Sequence, residues 1–228
     1  MASYFNVTLD TLAPQGVTFS INNNDTYSNS AAVTAYFSTE DVSTTNYQIK
    51  IWGAVNPASN ADIQTLEGDS DWIAYSAEQA VVLSSEDGSK TVYAKVRDDV
   101  WNETSQLSDS ITLDTAAPVV TISAGPDVNR ISKVSGKRQV TFTWESDTAF
   151  IEYKVKVVSA TNSIHSNGTT IVDTSTDSDN LSGSSSYPAT TGIVSVIDGR
   201  DLDDASPGDG EKVIKVFVLD TASNWSVA

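Results

Sequence analysis

The sequence predicts an all-β chain of two similar units, each a two-sheet antiparallel sandwich, and three observations predict it. Apolar and polar residues alternate at period two along most of the chain, and helical spacing is sustained nowhere. One stretch occurs twice: Asp87-Gly88-Ser89-Lys90-Thr91-Val92-Tyr93-Ala94-Lys95-Val96-Arg97-Asp98 returns as Asp209-Gly210-Glu211-Lys212-Val213-Ile214-Lys215-Val216-Phe217-Val218-Leu219-Asp220. A second pair opens each unit, Thr8-Leu9-Asp10-Thr11-Leu12-Ala13-Pro14 and Thr112-Leu113-Asp114-Thr115-Ala116-Ala117-Pro118. Self-similarity at this separation means two copies of one fold, and about seven short strands in each is the number that a sandwich uses.

The elements follow in matching order. Ala31 to Phe37 and Gln139 to Trp144 occupy equivalent places and put Val33, Ala35 and Phe37, or Val140, Phe142 and Trp144, on one face. Next, Tyr47-Gln48-Ile49-Lys50-Ile51 and Tyr153-Lys154-Val155-Lys156-Val157 send Tyr and β-branched residues inward and Gln or Lys to water, as a half-buried strand requires. Ala80-Val81-Val82-Leu83 and Gly192 to Ile197 read as later strands, and the repeated stretch as the one after. Gly, Asn, Asp, Ser and Pro mark the loops. The polar segment 161–191 is read as a surface insertion, and Asp114 to Pro118 as a short linker stiffened by Pro118, giving a semi-rigid rod. The expected boundaries are an N-terminal strand at 1–9, a first domain at 10–113 and a second at 114–228.

Composition narrows the partners. The net charge of −17 over 228 residues would be repelled by nucleic acid and by anionic membrane, which leaves cations or basic surfaces, unless the acidity serves only solubility. The absence of cysteine excludes disulfides and thiolate zinc sites. Residues 1–20 carry no basic or apolar signal region, so folding in a cytoplasm is expected, and no window approaches the about eighteen apolar residues of a membrane helix.

Trp72 to Ser76, Val82 to Tyr93, Val96-Arg97-Asp98, Asn102-Glu103-Thr104 and Ile111 to Pro118 together resemble the tandem bacterial immunoglobulin-like repeats, found in bacterial adhesins and on bacteriophage particles. The resemblance covers nearly the whole chain, more loosely in the second unit. It implies two immunoglobulin-like sandwiches with no enzymatic role. Joined to the missing signal region, it leads to the expectation of a bacteriophage virion component: a decoration, spacer or connector on capsid or tail, assembled in the host cytoplasm against other virion proteins. The alternative is a host-surface or carbohydrate-binding adhesion module on a bacterial cell surface.

In immunoglobulin-type strand order, the loops at one end of each unit collect acids. Asp10 and Asp98 fall there in the first unit, and Asp114, Asp147 and Asp220 in the second, with Asp87 at the opposite end of the first unit facing that second cluster. Calcium takes six to eight oxygen ligands, which convergent carboxylates and loop carbonyls supply. The competing reading is that Asp10, Asp98, Asp114 and Asp220 cap turns. His165 is the only histidine and lies in the polar insertion, so a Ser-His-Asp relay has no rigid base, and Asp203 with Asp204 read as loop acids. Trp144 falls on the inward phase and belongs to the core, whereas Trp101 and Trp225, in corresponding loops, are candidate surface-recognition residues for a glycan.

Residues 3–9 precede Asp10 as Ser108 to Leu113 precede Asp114, so the start of the chain resembles a last sandwich strand. The second unit shows little or no such strand after Asn224. The expectation is strand complementation, the N-terminal strand of one subunit completing the second unit of another.

Overall fold

A computed structural model of the chain describes residues 3–173, 187–188 and 191–227. The backbone divides into two compact units, Met1–Thr115 and Ala116–Ala228.

The first unit contains β1 (Thr18–Ile21), β2 (Tyr27–Ser28), β3 (Ala32–Ser38), β4 (Gln48–Gly53), β5 (Ile73–Ala74), β6 (Glu78–Val82), β7 (Gly88–Arg97) and β8 (Leu107–Leu113). They form two sheets, β1-β3-β6 and β2-β8-β7-β4-β5, antiparallel throughout except for the short parallel pairing of β2 on β8. Period two decides which residues face inward. Ile21, Val33, Ala35, Phe37 and Val81 from one sheet meet Ile49, Ile51, Val92, Ala94, Val96, Ile111 and Leu113 from the other in a single core. Trp52 lies on the opposite phase from Ile49 and Ile51 and is buried nonetheless. Tyr93 stacks on it with ring centroids 5.8 Å apart, and Gln64 pairs alongside it as an isolated bridge.

The second unit repeats the plan with β9 (Val120–Ala124), β10 (Gln139–Ser146), β11 (Glu152–Val158), β12 (Thr169–Asp173), β13 (Ile193–Asp198) and β14 (Val213–Leu219). Its sheets are β13-β10-β9 and β12-β11-β14. The core is aromatic: Trp144, Phe150, Tyr153 and Tyr187 form a cluster of ring contacts between 4.9 and 6.3 Å. Trp144 is fully buried, and its Nε1 donates to the Oγ of the equally buried Ser195 at 3.0 Å, so its one polar atom is satisfied inside the core.

Two features depart from the sequence reading. A helix, α1 (Gly199–Ala205), follows β13 where no helical period is visible; seven residues are too few to display one. Asp198 caps it by accepting from the Arg200 N–H at 2.9 Å while pairing with the Arg138 Nε at 2.8 Å. The polar segment 161–191 is also not wholly loop, because it supplies β12, which pairs with β11. Residues 174–186 and 189–190 of that segment lie outside the described residues.

Among the described residues no helix is long and apolar enough to cross a membrane. The tandem of antiparallel two-sheet sandwiches is an architecture of the immunoglobulin and fibronectin-III kind.

Candidate functional site

The repeated Asp98–Asn102 and Asp220–Asn224 turns share one hydrogen-bonded frame. In the first, the Asp98 carboxylate accepts from the Val100 N–H (3.0 Å), the Asn102 N–H (2.8 Å) and the Asn102 Nδ2 (2.8 Å), and the Asp98 N–H donates to the Asn102 carbonyl. In the second, Asp220 accepts from the Asn224 N–H (2.8 Å) and Nδ2 (3.0 Å), and its N–H donates to the Asn224 carbonyl. Thr104 and Ser226 close the two copies equivalently: the hydroxyl accepts from the strand (Val96 or Val218 N–H) and the backbone N–H donates to the same strand residue's carbonyl. The frame forces the residue before the Asn into the left-handed region, and Trp101 and Ser223 both sit at φ 71.

This geometry supplies the turn-capping contacts that compete with the calcium expectation. Asp98 and Asp220 are 2 % and 4 % exposed, and their carboxylates hold the turns. The remaining acids are engaged locally rather than gathered. Asp10 accepts from the Leu12 N–H, Asp87 from the Thr115 N–H and hydroxyl, and Asp147 from the Val119 N–H, while the Asp114 N–H donates to the Ser28 carbonyl. Short side chains that reach a nearby backbone donor take that bond in preference to converging. Among the described residues no three acidic, histidine or cysteine side chains come together as a metal ion needs.

Trp101 stands out at the tip of its turn, 70 % exposed. Behind it lies Arg97 of β7, whose Cζ is 4.8 Å from the Trp101 ring centre and 4.3 Å from that of Trp72. The Nε and Nη2 of Arg97 both donate to the Gln48 Oε1, at 2.8 and 2.6 Å, which fixes the plane of the guanidinium. Gln48 and Arg97 are directly opposed on β4 and β7, as are Lys50 and Lys95. Glu67, 2.6 Å from the Lys95 Nζ, and Glu103 at 3.6 Å offset the like charges and hold the Lys95 ammonium above its ordinary pKa. The result is a cationic, aromatic strip on the outer face of one sheet of a strongly acidic chain. Trp72 and Arg97 go unremarked in the sequence because they lie far apart in the chain; the available signal is that Arg97 occupies the place of Leu219 in the other copy.

Trp225 does not match Trp101. It lies half-buried against His165, with parallel rings 4.2 Å apart, and the Lys154 Nζ sits 4.4 Å from its centre. His165 is therefore a packed residue and not a loose loop residue. Burial, with Lys154 and Lys156 nearby, holds its imidazole below the ordinary pKa of 6.5.

No protein-family model matches the chain, and no curated protein does so. Solved structures with a similar backbone include the fibronectin(III)-like modules of Clostridium thermocellum CbhA, at 10 % identity and a TM-score of 0.43, covering 92 % of this chain and 88 % of that one. The chicken CNTN1 FN1–FN3 domains show 13 % identity and a TM-score of 0.35 over 96 % of this chain and 64 % of theirs. Chitinase ChiA74 from Bacillus thuringiensis shows 12 % identity and a TM-score of 0.29 over 92 % of this chain and 30 % of its own. The expectation of a bacteriophage virion component is overturned here, since none of these neighbours is described as part of a phage particle. What is shown is coarser than the repeats that the sequence resembles: the fold alone, tandem antiparallel β-sandwich modules of the immunoglobulin and fibronectin-III kind.

Proposed function

We propose that the chain is a non-enzymatic adhesion module, displayed on a cell surface, that binds a neutral carbohydrate through Trp101. The observation that carries this is the exposed indole at a position where the fold does not require one. Ser223 adopts the same φ of 71 in the same hydrogen-bonded frame, so the turn forms without a tryptophan. A bulky side chain in the left-handed region costs on the order of 1–2 kcal/mol relative to ordinary backbone, and a large exposed ring adds nothing to the core to offset it. A binding role supplies the reason for its presence.

The chemistry suits a sugar. The apolar C–H face of a pyranose stacks on an indole, and Arg97, clamped by Gln48, backs the ring and limits its rotation. Asn102 and Glu103 flank the platform with polar groups for ring hydroxyls. The net charge of −17 repels sulfated or uronate-rich chains and favours neutral ones. One such stack gives weak binding, on the order of millimolar, so useful attachment requires several copies acting together.

The test is retention on a panel of immobilised neutral polysaccharides, read beside thermal melting. Wild-type protein is retained, and Trp101→Ala loses at least about tenfold in affinity with its melting unchanged. Absence of retention on every neutral glycan, or equal retention of Trp101→Ala, overturns the reading.

A further inference from the structure

Tyr93, Lys95 and Arg97 alternate along β7 with the buried Val92, Ala94 and Val96, so all three lie on the outer face of the sheet, in one line that ends at Trp101. At about 3.3 Å of rise per residue, Tyr93 and Arg97 are about 13 Å apart along the strand, and Trp101 extends the line further. The two ends are aromatic, and each ring is braced by a flat group. The Arg97 Cζ lies 4.8 Å from the centre of the Trp101 ring, and the Trp52 indole stacks on Tyr93 with centroids 5.8 Å apart at 23°.

The middle of the line is polar, and its charges are paired. The Lys95 Nζ meets Glu67 at 2.6 Å and Glu103 at 3.6 Å, the three side chains being 21 %, 40 % and 42 % exposed. An ammonium between two carboxylates has no surplus positive charge with which to hold a polyanion. It does offer donors and acceptors side by side, which is what hydroxyl groups require.

The second unit fills the same face with its own chain. Lys215, Phe217 and Ser223 stand there at the places of Tyr93, Lys95 and Trp101. The segment after β11 folds across them: the Lys156 Nζ donates to the His165 carbonyl at 2.6 Å, the Lys215 Nζ donates to the Asn162 carbonyl, and Phe217 is fully buried. In the first unit the corresponding segment after β4 brings the Glu67 carbonyl to Lys50 at 3.3 Å and the Glu67 carboxylate to Lys95, and leaves Tyr93, Lys95 and Arg97 half-buried.

We infer that this line is a track for an extended neutral oligosaccharide: Trp101 stacks on a sugar at one end, Tyr93 on one at the other, and Lys95 with Glu67 binds the hydroxyls between. The inference rests on the reading of Trp101 as a sugar platform and adds the length and shape of what is bound. The span matches about four linked pyranoses. A straight strand matches a chain whose equatorial β-1,4 linkages keep it straight, whereas an α-1,4-linked chain coils away from the line.

The experiment is NMR titration of the full chain with β-1,4-linked glucose and mannose oligomers of one to six sugars, and with α-1,4-linked glucose oligomers of the same lengths. Affinity should rise at least about tenfold from the β-linked dimer to the tetramer and then level off, with no such rise in the α-linked series. Tyr93→Ala and Lys95→Met should each remove most of that rise and leave the dimer's affinity unchanged. Tyr93→Phe should retain the rise, Trp101→Ala should weaken every length, and Trp225→Ala should alter none. Melting is read beside each variant, and Lys95→Met leaves the stack of Tyr93 on Trp52 in place, so the test holds even where Tyr93→Ala loosens the fold. Trp101-dependent retention on polysaccharide overturns this inference alone when no β-linked oligomer binds, when affinity ignores length, when the α-linked series rises equally, or when the rise survives Tyr93→Ala and Lys95→Met. Absence of binding to every oligomer and every polysaccharide overturns the reading of Trp101 along with it.

Discussion

Replacing Asp98 by alanine removes an acceptor that serves three donors between 2.8 and 3.0 Å from inside a nearly closed pocket. A hydrogen bond to a charged group contributes about 1.5–3 kcal/mol net, and a buried donor left without a partner costs a similar amount. The three bonds share one carboxylate and the turn relaxes toward water once it is gone, so their sum overstates the loss; about 2–4 kcal/mol is expected, a large share of the stability of one unit. Asp98→Asn keeps one carbonyl oxygen, and Asn102 restores the second bond by turning its amide, so about half that loss is expected. Two units preclude a single unfolding transition, and the assay is urea-dependent amide exchange read separately over each. The first unit alone should weaken; Asp220→Ala should weaken the second alone by a similar amount. The losses should be the same with excess calcium and with chelator. An Asp98→Ala unit within about 0.5 kcal/mol of wild type refutes the turn-organising argument, and a loss seen only with calcium present shows that the carboxylate serves an ion instead.

Three further perturbations test other parts of the structure. The imidazole of His165 is held below 6.5, so its contribution to stability is complete above that value and declines as pH falls through the lowered folded pKa. As the only histidine it gives one imidazole resonance, which should titrate below 6.5 and move up toward the ordinary value in Trp225→Ala; a wild-type midpoint at or above 6.5 removes the packing argument. Ser195→Ala leaves the buried Trp144 Nε1 without an acceptor and should cost the second unit about 1–3 kcal/mol in denaturant unfolding, with no change in the first. Gly53→Ala places a Cβ 2.6 Å from the Thr91 carbonyl oxygen at a φ of 121; melting of the first unit should fall by several degrees, a shift of about 1–3 kcal/mol, and an unchanged melting curve contradicts the close approach of β4 to β7.

Legibility followed the range of the forces involved. The inward faces of β3, β4, β10 and β11 could be read directly, because alternation is a property of adjacent residues; Lys156 of β11, read as facing water, is instead buried with its Nζ donating to the His165 carbonyl. Trp144 declared itself as core in the same way. What could not be read depends on segments meeting from far along the chain. Trp52 follows an outward phase, yet Tyr93 and the stretch through Gln64 cover it. Trp225 lies in a turn like that of Trp101, but His165 comes sixty residues earlier to stack on it. The acids were placed near turns, and there Asp10, Asp87, Asp98, Asp147 and Asp220 each accept from a backbone donor nearby. Of the candidate site, the tip residue Trp101 was picked out, with Trp225, by its loop beside the repeated Asn; the clamp of Gln48, Arg97 and Trp72 behind it was not.

The paired turns carry a consequence for how such a chain can change. Because an aspartate and an asparagine close the loop between themselves, the residue at its tip is set in place by a structure to which its own side chain makes no contribution. One copy holds serine there and the other tryptophan, at the same backbone angle. The side chain shown at the tip and the hydrogen bonds that hold the turn are therefore separately adjustable traits in this protein. A library randomised at positions 101 and 223 should keep both turns, with melting that rises for Gly and Asn and falls for β-branched residues, as a left-handed position requires.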